Sequence, residues 1–339
     1  MESIDVEELE NLSDPLIVDV RSPSEYEEDH LPGAVNLPVL SDVQRDRVGT
    51  IYHQESTFRA RREGAKEICR NAPEIIDEID RRIERDRPVL VYCWRGGQRS
   101  QSLSLILDRI GYNIYRLEGG YKAYRGLVHE YFQDRAWSSP LVTIYGFTGA
   151  GKTLLLEILR EKGETVVDLE GAANHRGSAF GGIGLDDQPS QKTFERRLYQ
   201  EIAQQPGPIF VEGESRKIGR RTIPDPFFDE LIEPPGIWLE TSLDLRVQRI
   251  RDEYPWPECR SELVESVGNL KERLGSTTVE DLQEKLRSNR LEDAIQILLE
   301  KYYDPAYEQS SPDPSEYDLQ VDGDNLQEAA RTLIQTYSA

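Results

Sequence analysis

The fold of the larger part of this chain is decided by one stretch, residues 141–153, which reads LVTIYGFTGAGKT. Its first half, Leu141–Tyr145, is a short apolar run rich in β-branched residues and predicts a buried strand. The segment Gly146–Thr153 fits the pattern G-x-x-x-x-G-K-[ST], and Leu154–Glu161 behind it predicts a helix. The strand before the motif and the helix after it make the pattern a specific signal for a phosphate-binding P-loop.

Five residues of this motif are candidates for phosphate binding: Gly146, Gly149, Gly151, Lys152 and Thr153. The glycines let backbone N–H groups converge on a phosphate, and the N-terminal end of the following helix adds positive potential. The lysine is expected to contact phosphate oxygens. The threonine hydroxyl would hold Mg²⁺ if that ion is bound.

Around the motif, predicted strands and helices alternate, as in a doubly wound α/β domain with a parallel sheet. The predicted strands are Pro208–Val211 and Gly236–Leu239. The predicted helices are Gln191–Ala203, Leu243–Glu253, Val264–Leu274, Val279–Lys301 and Asn325–Thr336, with an exposed excursion over Asp304–Asp318. Three arginines of one helix, Arg246, Arg249 and Arg251, either close over phosphates or form an ordinary basic helix face.

The residues before the motif predict a smaller α/β unit, also with a mostly parallel sheet. Its strands are Leu16–Val20, Pro88–Tyr92 and Ile114–Leu117, and its helices are Asn71–Arg85 and Gln101–Ile110. A polar turn at Ala136–Pro140 precedes the strand of the P-loop. We therefore expect two domains, residues 1–136 and 137–339.

A cysteine follows the buried strand of the first domain directly. The loop reads Cys93, Trp94, Arg95, Gly96, Gly97, Gln98, Arg99, Ser100 and leads into a helix. Backbone N–H donors, a helix N-terminus and two guanidinium groups favour a thiolate, so we expect a reactive Cys93. Cys69 and Cys259 lack such surroundings and are expected to be structural.

Charge and composition restrict the partners. The net charge of −22 argues against a protein that coats nucleic acid non-specifically, although local potential still allows an RNA substrate, and no DNA partner is expected. The arginines of 59–62 and 81–87 are locally basic, and a solvated, ion-paired helix face is one interpretation of them. No apolar run is long enough for a membrane span, the N-terminus is acidic and the cysteines are few, so a cytoplasmic protein without membrane contact is expected.

Several segments resemble known families. Asp19–Tyr26, His30–Pro38, the Cys93 loop and Leu117–Tyr121 are similar to the landmarks of a rhodanese domain, which carries sulfur on the loop cysteine. Joined to the P-loop and to Asp168–Gly181, the chain resembles the tRNA 2-selenouridine synthase family. The segments 47–61 and 211–219 are similar as well, so the resemblance covers nearly the whole chain.

The resemblance implies a two-step replacement at the wobble 2-thiouridine of certain tRNAs. Geranyl diphosphate first alkylates the sulfur, and selenophosphate, which its synthase could deliver, then supplies selenium. Alkylation turns a poor leaving group into a good one. Both co-substrates carry phosphate, so the P-loop could hold either of them, and no tightly bound cofactor or metal is expected.

The resemblance also implies roles for individual residues. Cys93 is assigned to the selenium-transfer step, and Gly151, Lys152 and Thr153 to phosphate binding. The candidates for a substrate pocket are His175, Arg176, Ser178, Glu212, Glu214, Ser215, Arg216 and Lys217. The last five follow Ile209–Val211, beyond the carboxyl end of a strand, where such folds open their ligand crevice.

Two other functions are compatible with single motifs. A rhodanese-coupled P-loop ATPase or kinase would use the P-loop and the arginine helix alone, and would release phosphate from ATP in a Lys152-dependent reaction. A non-catalytic adaptor would use both folds only to bind partners. The intact Cys93 and Lys152 argue against the adaptor.

Overall fold

The computed structural model describes residues 1–84, 86–203, 207–233, 236–256, 258–309 and 312–338. The chain divides into two compact units, Met1–Glu130 and Tyr131–Ala339. Each unit contains a five-stranded parallel sheet. The division lies inside a helix, whereas the sequence analysis placed the boundary after residue 136.

The first unit alternates short strands with helices around its sheet. The strands are Glu2–Ile4 (β1), Leu16–Asp19 (β2), Val35–Asn36 (β3), Val89–Tyr92 (β4) and Ile114–Leu117 (β5), in the order β1-β5-β4-β2-β3. The helices are Pro23–Glu28 (α1), Asp42–Gln54 (α2), Thr57–Arg82 (α3), Gln98–Ile110 (α4) and Gly120–Gln133 (α5). A 3₁₀ turn covers Val6–Asn11.

The core of this unit explains its elements. All four residues of β4 are buried, as expected for a central strand covered on both faces. The helix α3 is 26 residues long, whereas the sequence predicted only its second half from residue 71. The buried positions of the first half include Ala60 and Gly64, which give a weak hydrophobic signal. The predicted end of α4 is confirmed, because Gly111 adopts φ = 109° as its C-cap.

The second unit has the architecture expected around the P-loop. Its strands are Leu141–Tyr145 (β6), Thr165–Val167 (β7), Ile209–Glu212 (β8), Lys217–Ile218 (β9), Arg221–Thr222 (β10), Gly236–Glu240 (β11) and Leu319–Asp322 (β12). Its helices are Lys152–Glu161 (α6), Leu169–Ala173 (α7), Gln191–Ile202 (α8), Asp225–Leu231 (α9), Leu243–Glu253 (α10), Arg260–Gly268 (α11), Lys271–Leu274 (α12), Ser276–Arg287 (α13), Leu291–Leu298 (α14), Asp304–Glu308 (α15) and Leu326–Tyr337 (α16).

The parallel sheet of this unit has the order β12-β11-β6-β8-β7, and β9 and β10 form a separate antiparallel pair. The strand β6 is central, and β8 and β11 pair with its two opposite edges. A switch of strand order at a central strand opens a crevice at the carboxyl end of that strand. The P-loop follows β6 and therefore lies at this crevice.

Three details of the second unit differ from the sequence prediction. The predicted helix Val279–Lys301 is broken at Ser288–Arg290, where Asn289 has φ = 62°, and continues through a π-helical turn at Leu299–Tyr303. The predicted helix 264–274 is two helices, α11 and α12. The excursion after Asp304 contains α15, and the strand β12 that follows it was not predicted. Arg85 and Ser310–Ser311, which belong to predicted segments, lie outside the described residues.

Hydrophobic clusters fill both units. Among the described residues, no helix combines the length and the apolar character needed to cross a membrane.

Candidate functional site

Cys93 directly follows β4 and begins the loop that leads into α4. The cysteine is 3% exposed, and its Sγ lies 3.2 Å from Ser100 Oγ and 3.9 Å from the Gly97 carbonyl oxygen. Ser100 Oγ in turn donates to the Gly97 carbonyl at 3.2 Å. The thiol is therefore held between the loop and the first turn of α4.

The backbone of the start of α5 fixes the Cys93 loop from the other side. The N–H of Tyr121 donates to the Cys93 carbonyl at 2.8 Å, and the N–H of Lys122 donates to the Trp94 carbonyl at 2.9 Å. Gly96 has φ = 65°, and a Cβ there would lie 2.9 Å from the Leu117 carbonyl oxygen. The backbone of the Cys93 loop therefore packs directly against the backbone at the start of α5, an approach that only small residues permit.

The two arginines of the loop have different surroundings. Arg99 forms a two-point ion pair with Glu25, at 2.5 and 3.1 Å. Burial acts to raise the pKa of Glu25, but the ion pair with Arg99 outweighs it, and the pKa lies below its usual value. Arg95 is exposed, and the Trp94 ring lies 5.4 Å from that of Tyr121. The charge of Arg99 is therefore compensated before any substrate binds.

A buried polar network under the loop was not predicted. Arg21 pairs with Asp19 at 2.6 Å, donates to the Asp29 carbonyl at 2.7 Å, and lies 4.1 Å from the centre of the Tyr121 ring. The Tyr121 hydroxyl donates to the Asp29 carboxylate at 2.8 Å. Asp19, Arg21 and Tyr121 belong to the segments quoted for the rhodanese resemblance, whereas Asp29 does not, and the contacts that join them to Asp29 have no local signature in the sequence.

The P-loop of the second unit has its expected conformation between β6 and α6. Gly149 and Gly151 adopt φ = 78° and 89°, which glycine tolerates. Lys152 Nζ donates to the Gly146 carbonyl at 3.0 Å, and the Thr153 hydroxyl donates to a Glu170 carboxylate oxygen at 3.3 Å. Glu170 was not predicted as a site residue, although it belongs to the quoted segment after β7.

Two of the three arginines of α10 brace the P-loop through its carbonyl groups. Arg246 Nε donates to the Thr148 carbonyl at 2.9 Å, and its guanidinium pairs with Asp304 at 2.5 and 3.0 Å. Arg249 donates to the Ala150 carbonyl and, at 2.8 Å, to that of Gly323. Arg251 instead pairs with Asp252 and Glu292. Of the three, Arg249 also lines the cavity described next.

A cavity of ≈ 1360 Å³ opens at the P-loop within the second unit. Gly149, Gly151, Lys152 and Thr153 form part of its wall. Another part is apolar, comes from the Phe180 loop, α11, α13, α14 and the π-helical turn, and includes Phe180, Leu263, Val267, Leu286, Ala294, Leu298 and Leu299. The cavity therefore joins a phosphate-binding loop to an apolar chamber.

Five of the predicted pocket residues line this cavity: Arg176, Ser178, Glu214, Ser215 and Arg216. Arg176 pairs with Glu253 at 3.0 Å and lies 4.6 Å from the centre of the Tyr254 ring. Arg216 pairs with Asp225 and, at 3.5 Å, with Asp229. The guanidinium groups are thus held in place by carboxylates at the cavity wall.

The other three predicted pocket residues do not line the cavity. The His175 ring packs against the backbone of Gly181 and Gly219, and burial followed by the charge of Arg176 lowers its pKa. Glu212 is fully buried behind the wall, where it accepts from the Glu170 N–H at 2.8 Å. Lys217 is exposed on β9.

Carboxylates form an acidic group beside Lys152. Burial raises the pKa of Glu170 well above its usual value, the charge of Glu214 raises it further, and Lys152 opposes both effects. Burial likewise raises the pKa of Glu212, with contributions from Asp168 and Glu170. Within the described ranges, no three His, Cys, Asp or Glu side chains are arranged to hold a metal ion.

These features define the class of protein: a rhodanese-like domain joined to a P-loop domain of parallel α/β architecture. The model of the rhodanese-like domain matches residues 5–127, and that of the tRNA 2-selenouridine synthase AAA domain matches residues 139–335. The predicted two-part α/β fold is confirmed.

Curated relatives then identify the family. The chain is 34% identical over 339 residues to the tRNA 2-selenouridine synthase of Pseudomonas fluorescens strain Pf0-1, with 90% of this chain and 91% of the relative covered. It is 32% identical over 328 residues to that of Aeromonas salmonicida strain A449, with 87% of each covered. The chain belongs to the tRNA 2-selenouridine synthase family and is a tRNA-modifying enzyme.

Proposed function

We propose that this enzyme replaces the sulfur of wobble 2-thiouridine in tRNA by selenium through an S-geranyl intermediate, with geranyl diphosphate and selenophosphate as co-substrates. The observation that carries the proposal is the apolar chamber that opens at the P-loop. A prenyl diphosphate has the same two parts, a charged head and a hydrocarbon chain.

In the first step, the 2-thio sulfur attacks the first carbon of the geranyl group. A sulfur–carbon bond forms, the carbon–oxygen bond to diphosphate breaks, and the ring N3 proton leaves to solvent. Lys152 and the backbone N–H groups of the P-loop would stabilise the charge on the departing diphosphate. The apolar wall around Leu298 would hold the geranyl chain and exclude water from the reacting carbon.

In the second step, the selenium of selenophosphate attacks the pyrimidine C2. The carbon–selenium bond forms, the bond to the geranylthio group breaks, and the thiolate takes up a proton from solvent. Water then cleaves the phosphorus–selenium bond and releases phosphate. Cys93, in the loop before α4 and beside Ser100, is the side chain that we assign to this selenium-transfer step.

Mass spectrometry of nucleosides tests both steps. Purified protein is given 2-thiouridine-containing tRNA with geranyl diphosphate alone, and then with selenophosphate as well. We expect the S-geranyl nucleoside in the first reaction and the seleno nucleoside in the second. Lys152→Ala should abolish both products, whereas Cys93→Ser should stop at the S-geranyl nucleoside. Absence of both products with the unaltered protein, together with Lys152-dependent phosphate release from ATP, would favour the ATPase instead.

A further inference from the structure

The turn between α2 and α3 presents aromatic side chains to solvent. We define residues Tyr52–Arg62 as the α2–α3 tip. Within it, Phe58 is 74% exposed and Tyr52 is 52% exposed, and the Tyr52 and His53 rings meet edge to face at 5.5 Å. Side chains exposed to this extent add little to the core of the unit, and two of them at one turn form a candidate contact surface.

The α2–α3 tip lies in a basic segment of an acidic protein. Residues 45–70 contain seven Arg or Lys and four Asp or Glu, an excess of three positive charges, while the whole chain carries −22. Arg59, Arg62 and Arg70 make local ion pairs with glutamates. Arg61 has no ion pair among the described residues. The segment is therefore complementary to an anion, unlike most of the surface.

The unpaired guanidinium of Arg61 beside the exposed rings of Tyr52 and Phe58 is typical of a surface that binds single-stranded RNA. Unpaired RNA bases stack on aromatic side chains, and the adjacent phosphates attract arginine. The N-terminal end of α3, a helix of 26 residues, adds positive potential at the same place. We propose that the α2–α3 tip binds an unpaired stretch of the tRNA substrate, with Phe58 stacked on a base and Arg61 on the neighbouring phosphate.

This inference rests on the tRNA substrate of the proposed function, but it does not depend on the geranyl or selenium chemistry. Cys69 provides an independent probe of the surface. It is a free, exposed cysteine 11 residues after Phe58 on α3. Eleven residues are close to three helical turns, so the two side chains share a face about 16 Å apart. An RNA bound along this face would shield the Cys69 thiol.

Binding of a fluorescent 2-thiouridine-containing tRNA, measured by anisotropy without either co-substrate, tests the contact. We expect Phe58→Leu to weaken binding about tenfold and Phe58→Tyr to preserve it, because an aromatic ring, not apolar area, is required. Arg61→Ala should reduce the slope of log K against log salt by about 0.7, the share of one phosphate of a single strand. Phe58→Leu should leave that slope unchanged.

Arg331→Ala is the matched control, since Arg331 is an exposed, ion-paired arginine on α16. It should change neither the affinity nor the slope. In parallel, Cys69 is alkylated with and without tRNA, and its peptide is quantified separately from that of Cys93. Protection by tRNA that is lost in Phe58→Leu supports the proposal.

Unchanged affinity in Phe58→Leu and Arg61→Ala, with Cys69 labelled equally in the presence of bound tRNA, would overturn it. If the tip instead binds a protein partner, the two variants should keep their affinity for tRNA and tRNA should not protect Cys69. Failure of the nucleoside assay with normal tRNA binding would refute the chemistry of the proposed function and leave this surface established.

Discussion

A single methyl group added at Gly120 should impair the selenium-transfer step and leave S-geranylation intact. Gly120 has φ = 60° and starts α5 against the Cys93 loop. A Cβ at this residue would meet the carbonyl oxygen of Cys93, would lie 2.5 Å from the Gly96 nitrogen, and would lie 3.0 Å from the Arg95 nitrogen. All three are backbone atoms, so no side-chain rotation can relieve the contact.

The cost of Gly120→Ala has two parts. A left-handed conformation disfavours alanine by about 1–2 kcal/mol. The contact with the loop adds to this, and the strain is relieved only if the loop moves away from α5 and gives up the hydrogen bond from Tyr121 to Cys93. We expect the free energy of unfolding to fall by about 2–3 kcal/mol in total, within the usual range for a backbone-specific substitution.

The functional consequence should be selective. Displacement of the Cys93 loop should strongly reduce formation of the seleno nucleoside, while S-geranylation, assigned to the second unit, continues. Gly126→Ala is the matched control on the same helix, because a Cβ there has no heavy atom within 4 Å. That variant should be slightly stabilised and fully active. Selenium transfer at the normal rate by Gly120→Ala would show that the loop geometry is not what makes Cys93 competent.

Three further predictions concern the second unit. Ala294→Phe fills part of the apolar chamber, and calorimetry should show weaker binding of geranyl diphosphate but unchanged binding of inorganic diphosphate; equal weakening of both would contradict the assignment of the chamber. Asp304→Ala leaves the buried guanidinium of Arg246 without its partner, and urea unfolding should show a loss of about 3 kcal/mol. Burial raises the pKa of Glu201 from 4.5 to about 7. Between these two pH values the native state keeps a proton that the unfolded state has lost, so the free energy of unfolding falls as the pH rises across this range. Glu201→Gln should therefore raise the melting temperature more at pH 8 than at pH 5, and an equal gain at both would show that Glu201 does not titrate in this window.

The parts of the fold that the sequence predicted are those with a local signal. The strands β5 and β6 and the helix α10 begin and end at the predicted residues, because each has an uninterrupted pattern bounded by turn or cap residues. The strand β12 has one buried residue and pairs only at the edge of the sheet, so its pattern is too weak to detect. The break at Asn289 also escaped prediction, because asparagine adopts positive φ only occasionally and its presence alone does not mark the end of a helix.

The candidate site divides in the same way. The P-loop and the Cys93 loop are built from backbone conformations that glycines encode within a few residues, and so they are visible in the sequence. The polar partners of the P-loop come from distant elements. Glu170 reaches Thr153 from α7, and Asp304 on α15 pairs with Arg246, which in turn donates to the P-loop carbonyl of Thr148. Such pairs have no spacing rule, and most acidic residues are solvated.

The apolar chamber is the part of the site that the sequence predicts least, because the pattern of its residues fits a packed core as well as a cavity wall. Leu286, Ala294 and Leu298 occupy regular helical positions that predict a packed core, and they do belong to a hydrophobic cluster. A residue that lines an internal cavity and a residue that fills a core have the same periodicity. What distinguishes them is the shape left between α11, α13, α14 and the P-loop, which depends on how well side chains from separate helices fill the space. The sequence could therefore locate the phosphate end of the site, whereas the end that would recognise a hydrocarbon chain becomes visible only when the helices are assembled.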